Sequence, residues 1–170
     1  MSATVHTYRT ALSWEGSTGV GYDDYGRAHR LSAITTDGPV ATATDGSLHL
    51  SGDPAFLGDP TLLNPEQLLV AAASSCHLLS FLAIAARRRL DVIAYRDEAE
   101  GEMPEDDRPM RITRIVLRPH VVLRSDDPAT ADELAGLHDK AHHLCFVANS
   151  LTTHIEVLPT FDVVPRPASS

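Results

Sequence analysis

Cysteine is scarce in this chain: two residues in 170, Cys76 and Cys145. That rules out a disulfide framework as the main staple and leaves three readings for the pair: bland buried thiols, metal ligands, or redox-active groups. Cations are short as well. There are 14 Lys and Arg against 23 Asp and Glu, a formal charge of −9, which argues against nucleic acid as a partner. No basic stretch followed by an apolar run and a small-residue cleavage site stands at the N-terminus, so the expected location is cytoplasmic. Repeats and dividing linkers are lacking too. A chain of 170 residues supports one domain with a real core and is too short for two comfortable ones. A single domain is therefore expected over residues 1–164, with a loose tail over 165–170.

What the chain does have is one long apolar stretch, residues 64–89. Asn64 is suited to an N-cap, Pro65 to the first helical position and Gln67 to closing a capping box. Glu66 suits the positive end of the helix dipole, and Arg87, Arg88 and Arg89 the negative end. Between them Leu68 to Ala86, nineteen residues, carry no formal charge, and their large apolar side chains go round the whole helix. Such a helix is buried on all sides or lies in a membrane. The abundance of Ala and Ser, His77 at mid-span and the polar, strand-like flanks favour burial and no membrane partner.

Around this helix the pattern alternates. Residues 4–14 read as a strand, and a second short strand ends near Tyr25 after the glycines at 16, 19 and 21. A strand runs through Leu31 and Ile34, turns fall at 37–39 and 45–46, and a short strand lies around Leu48 and Leu50. A loop over 53–60 leads to Asn64. Residues 92–102 read as a strand and 104–109 as a hairpin loop. Residues 111–123 read as one long strand with Ile115, Leu117, Val121 and Leu123 inward. An amphipathic helix over 128–143 buries Leu134, Leu137 and Ala141, a short turn follows Cys145, and residues 153–164 form a last strand. The sum is an α+β fold with an antiparallel sheet. One sheet covers only one side of a helix that is apolar all round, so a second copy of the chain is expected to cover the other, as a homodimer.

Cys76 sits in the middle of the dry helix, with Ala72 and Ala73 one turn before it and Ser80 one turn after. Taken alone it reads as a small buried hydrophobe. A reactive thiol must be a thiolate, and apolar surroundings oppose that, so reactivity would need a cation brought from elsewhere in the fold. The candidates are Arg27 and Arg30, with His29 between. Glu66 is explained as a first-turn acid. It lies ten residues, about 15 Å of helix, from Cys76, so any joint action would bring Glu66 from the other subunit. His138 and His142 share a helix face with Cys145 nearby, a partial metal site that nothing local completes. The other role open to these histidines and Lys140 is to favour a Cys145 thiolate that attacks an oxidised Cys76.

Residues 64–69 (N-P-E-Q-L-L), 74–77 (S-S-C-H) and 141–150 (A-H-H-L-C-F-V-A-N-S) together resemble the osmotically inducible protein C (OsmC) and organic hydroperoxide resistance (Ohr) family, over nearly the whole chain. The resemblance implies an OsmC-like fold, an intertwined homodimer with antiparallel sheets wrapped around long buried central helices. It implies thiol-dependent reduction of organic hydroperoxides, alkyl or lipid, in oxidative-stress defence, with an external dithiol as reductant and no cofactor or resident metal. Cys76 would be the peroxidatic thiol, Cys145 the resolving thiol, and Glu66 the partner of an arginine that keeps Cys76 ionised. Where OsmC-like members carry that arginine, before the N-P-E motif, this chain has Leu57, and Arg27 resembles a subfamily alternative with Arg30 in reserve. The competing reading is a dimeric binding protein for a small apolar ligand, its cysteines not redox-active.

Overall fold

The fold is built on helix α1 (Pro65–Arg87), and its start is closed on both sides. Asn64 Oδ1 accepts the Gln67 N–H at 2.8 Å while Gln67 Oε1 accepts the Asn64 N–H at 3.1 Å, so two of the orphan amides of the first turn are satisfied reciprocally. The computed structural model describes residues 4–26, 30–35, 38–39, 50–126 and 130–167. Before α1 come β1 (Val5–Glu15), β2 (Arg30–Thr35) and β3 (Gly38–Pro39). After it come β4 (Asp91–Pro104), β5 (Arg114–Leu117), β6 (Pro119–Arg124), α2 (Thr130–Leu144), α3 (Phe146–Ser150), β7 (His154–Val157) and β8 (Thr160–Val164).

All eight strands join one curled sheet. Its spine is β4, paired antiparallel with β1 from Val5↔Pro104 to Glu15↔Ala94. A bulge between Val92 and Ala94 shifts the register, so the inward set changes from Val92 to Tyr95, Asp97, Ala99, Gly101 and Met103. One extra residue reverses the pleat. Along these inward positions lies α1, and α1 comes so close that a Cβ on Gly101 would stand 2.5 Å from Val70 Cγ2. Helix α2 packs beside α1 through Leu134, Leu137 and Ala141.

Three expectations are corrected. The residues after β1 form no second strand near Tyr25. They make a 3-10 turn at Thr18–Val20, pinned because Asp91 Oδ1 accepts from Ser17 Oγ and Gly19 N–H. The stretch 111–123 is two strands rather than one. Pro119 has no N–H for a ladder, and the Arg118 N–H turns to Asp97 Oδ1 at 2.6 Å. The stretch 153–164 breaks in the same way at Pro159, giving β7 beside β5 and β8 beside β6. Both of these pairs are parallel, so the sheet is antiparallel except at that edge. The inward residues Ile115, Leu117, Val121 and Leu123 are all buried as the alternation predicts. The turn at 45–46 and the expected strand at Leu48 lie outside the described residues; Leu50 forms an isolated bridge with Leu63.

The covering of α1 is incomplete. Val70, Ala73, Leu78, Phe81, Leu82 and Ala85 are fully buried, yet Ala72, Cys76, Leu79, Ser80, Ala83 and Arg87 form a strip that stays partly or wholly open. The helix is long and apolar enough to cross a membrane, and over half of its most apolar window is buried within the fold. The start of the expected loose tail is tied by the Arg166 N–H to Asp126 Oδ1 at 3.0 Å.

Candidate functional site

The open strip of α1 meets the N-terminus of α3, and that crossing brings the two cysteines together. Cys76 is half-buried on α1 and Cys145 is 1% exposed at the N-cap of α3. The Val147 N–H points at Cys76 Sγ and the Ala148 N–H at Cys145 Sγ, both at 3.5 Å. Two successive amides of one short helix thus face two sulfurs from elements far apart in the chain. Cys145 is itself held from both sides: its N–H donates to His142 O at 3.2 Å and its carbonyl accepts the Asn149 N–H at 3.0 Å. Burial pushes the Cys145 thiol up to about 11. The Ala148 amide opposes that shift, while the neighbouring Cys76 sulfur adds to it through a side-chain hydrogen bond. Cys145 is therefore a protonated thiol at neutral pH.

A cavity of about 410 Å³ opens on Cys76, lined by Leu79, Ser80, Ala83, Ile84, Tyr22 and Tyr25, with Leu144, Phe146 and Arg87 completing it. The wall is mostly apolar, with polar groups at the thiol, the Ser80 and tyrosine hydroxyls and the Arg87 end. Phe146 is 83% exposed, a large ring standing beside the sulfurs with little to cover it.

His138 does not play the part expected of it. His138 is not on an open helix face but buried, with Nδ1 3.0 Å from His77 Nε2. Its ring stacks on His77 at 5.3 Å and on Phe81 at 4.3 Å between centroids. Burial, reinforced by His138 and His142, drives His77 down to about 3, and burial alone drives His138 down to about 4. Neither carries charge at neutral pH, so this pair cannot favour a Cys145 thiolate. Among the described residues no group of three or more potential metal ligands is gathered.

Glu66 lies in the first turn of α1, well away from Cys76 of its own helix. Its neighbour is Tyr8, a buried residue whose hydroxyl faces the carboxylates of Asp53 and Glu66. Burial raises the Tyr8 pKa first, and the carboxylates of Asp53 and Glu66 raise it further. Leu57, in the position where a cation is expected by resemblance, closes a short 3-10 turn with φ 65° and is 99% exposed. Arg27 and His29 lie outside the described residues, and Arg30 is placed only as the β2 residue opposite Ser13. Sequence reasoning missed the His77–His138 pair, Tyr8 and Asp53 beside Glu66, and the α3 amides. For Arg87 a signal was available: it falls eleven residues after Cys76, on the same helix face.

The sequence profile of the family described as OsmC-like protein matches residues 58–158. Among curated relatives, the uncharacterized protein YmaD of Bacillus subtilis (strain 168) is 28% identical over 97 residues, which are 55% of this chain. The chain spans about 63% of the length of that relative. Among solved structures, an OsmC-like protein of unknown function from Vibrio cholerae O1 biovar eltor is 29% identical with a TM-score of 0.55, covering 96% of this chain and 99% of the other. A Legionella pneumophila protein named as an organic hydroperoxide resistance protein OsmC is 18% identical with a TM-score of 0.52, over 96% and 98% of the two chains. This last likeness is one of fold.

Proposed function

Because this chain belongs to the OsmC-like family, we propose that it is a cytoplasmic, homodimeric thiol peroxidase that reduces organic hydroperoxides, alkyl or lipid, in oxidative-stress defence. The observation that carries the reading is the meeting of Cys76 and Cys145 under the α3 amides, at the wall of an apolar cavity. The Cys76 thiolate attacks the distal peroxide oxygen. The O–O bond breaks, the alkoxide takes a proton and leaves as an alcohol, and Cys76 becomes a sulfenic acid. Cys145 loses its proton and attacks that sulfur, releasing water and forming the Cys76–Cys145 disulfide. An external dithiol then returns both cysteines to thiols and is itself oxidised to a disulfide.

The Val147 N–H supports negative charge on Cys76, and Cys145, protonated at rest, is spared wasteful oxidation. In this reading Arg27 supplies the cation, and Glu66 from the second subunit orients it, because Glu66 of the same helix is about 15 Å away. The open strip along α1 is the surface a second copy would cover. An apolar lining suits a peroxide with an apolar body over hydrogen peroxide.

Stopped-flow assay with cumene hydroperoxide and dihydrolipoamide is expected to show turnover that vanishes in Cys76→Ser; equal turnover in that variant ends the proposal. Sedimentation should give a dimer. A second reading, an apolar-ligand carrier with idle cysteines, draws support from the high pKa of Cys145. One equivalent of hydroperoxide separates the two, since only the peroxidase forms an intramolecular disulfide.

A further inference from the structure

Tyr95 makes no use of its polar end in the resting fold. It stands at an inward position of β4, fully buried, with its ring tilted against Phe81 of α1 at 5.8 Å between centroids. Its hydroxyl has no hydrogen-bond partner among the described residues. The carboxylate two residues along the strand is already occupied: Asp97 Oδ2 accepts from Ser74 Oγ at 2.5 Å and Asp97 Oδ1 from the Arg118 N–H at 2.6 Å. An unpaired hydroxyl in a core costs free energy that no bond returns, so its presence calls for a use in another state of the protein.

Cys145 supplies that state. Ala141, one turn before Cys145, belongs to the same core cluster as Tyr95 and Phe81, so α2 carries the sulfur toward the core that the phenol occupies. The two groups are close enough for charge on Cys145 to act on Tyr95. Burial first, then Asp97, then that charge hold the phenol well above its ordinary range, so it keeps its proton when the thiol gives one up. At rest Cys145 is a thiol, a weak acceptor that already receives the Ala148 N–H at 3.5 Å. As a thiolate it becomes a strong acceptor, and the amides of Ala148 and Val147 are what the fold offers against its burial. A fixed neutral donor adds to them, and such dipoles count most where water is excluded.

We propose that the Tyr95 hydroxyl donates a hydrogen bond to the Cys145 sulfur as it becomes a thiolate, and so speeds its attack on the Cys76 sulfur. In the peroxidase cycle the Cys145 proton goes to solvent, and the S–S bond forms as the S–O bond of the Cys76 sulfenic acid breaks. The released hydroxide takes up a proton as water, and the phenol keeps its own proton throughout. A bond made only in the charged state speeds the step without tightening the resting fold. A donor that makes the thiolate about tenfold to a hundredfold more abundant also makes it less nucleophilic. That takes back about half of the gain on a logarithmic scale, leaving about threefold to tenfold. The donor role holds for any attack by Cys145 on Cys76; only its use after peroxide rests on the peroxidase reading.

Dithiobis(nitrobenzoate) tests it without peroxide. The reagent caps the half-buried Cys76 and releases one thionitrobenzoate. Cys145 then attacks the capped sulfur, the mixed disulfide breaks and a second thionitrobenzoate leaves, a release that Cys145→Ser abolishes. In Tyr95→Phe the second release should be about threefold to tenfold slower and the first unchanged, while the urea midpoint is equal or higher. Equal second-release rates overturn the donor role. So does a lower midpoint, since the hydroxyl then has a partner in the resting fold, and so does slowing of both releases alike, which is displacement of α1. A single release from the unaltered protein overturns it too. With cumene hydroperoxide, Tyr95→Phe should form the sulfenic acid at the usual rate and the disulfide about threefold to tenfold more slowly. Slowed second release without any reaction of the unaltered protein with peroxide removes the peroxidase reading and leaves the donor standing. Peroxide turnover with equal second-release rates does the reverse.

Discussion

Cys145 is the residue whose surroundings have the clearest chemical consequence. Its thiol is pushed up to about 11 by burial, and the thiolate is the species that attacks a sulfenic acid. Resolution should therefore be the pH-sensitive step. After one equivalent of hydroperoxide, the rate of disulfide formation, followed by quenching with an alkylating reagent, is expected to rise about tenfold per pH unit between about pH 7 and 9. A pH-independent rate would mean that another group removes the proton. In Cys145→Ser the cycle should stop one step earlier, so a Cys76 sulfenic acid accumulates and is trapped by dimedone, detectable by mass. The histidines of the same neighbourhood point the other way: buried and neutral, His77 and His138 supply shape rather than charge.

Between elements, the contact that decides the position of the site is that of α1 on β4. Gly101 faces Val70 so closely that a methyl group would stand 2.5 Å from its Cγ2, a separation neither the helix nor the strand can absorb without moving. Gly101→Ala is expected to destabilise the fold by about 1–3 kcal/mol. Because α1 carries Cys76, it should also lower the yield of the Cys76–Cys145 disulfide. Chemical denaturation measures the first, and thiol titration after oxidation the second. Losing the cap at the start of α1, Asn64→Ala, removes an acceptor without crowding and should cost about 1 kcal/mol while leaving the disulfide yield intact. The pair of variants separates displacement of the helix from simple loss of stability.

For the molecule as a whole, the buried histidine pair joins α1 to α2 and makes stability depend on pH. The fold holds His77 near 3 and His138 near 4, below the ordinary value of about 6.5, so both bind protons more readily once the chain unfolds. Their contribution is complete above about pH 6.5 and is lost as the pH falls through the folded values. The unfolding free energy from urea titration should drop between about pH 6.5 and 4.5, by an amount on the order of a few kcal/mol, and the midpoint with it. The difference in midpoint between the protein and the double variant His77→Leu, His138→Leu should change across that window, since replacing both partners leaves neither nitrogen stranded. An identical pH profile in the two proteins would show that the pair bears no such load.

The course of α1 was legible in local chemistry. The Asn64–Pro65–Gln67 start, the uncharged middle and the arginines at the end are instructions read within a few residues of each other, and the capping box forms as written. The inward faces of β5 and β6 were legible for the same reason, alternation being a property of the strand itself. The break at Pro119 was not read. A proline's missing donor matters only once a neighbour such as Asp97 stands ready to take the preceding amide. Likewise the sequence by itself named Cys76 and Cys145 as the residues of interest and identified the family. Only the tertiary structure decided that the Val147 and Ala148 amides face the two sulfurs, that His138 turns inward to His77, and that Arg87 lines the cavity that opens on Cys76. Those facts depend on how α1, α2 and α3 cross, and a crossing is fixed by burial summed over many side chains, which no single stretch of sequence records.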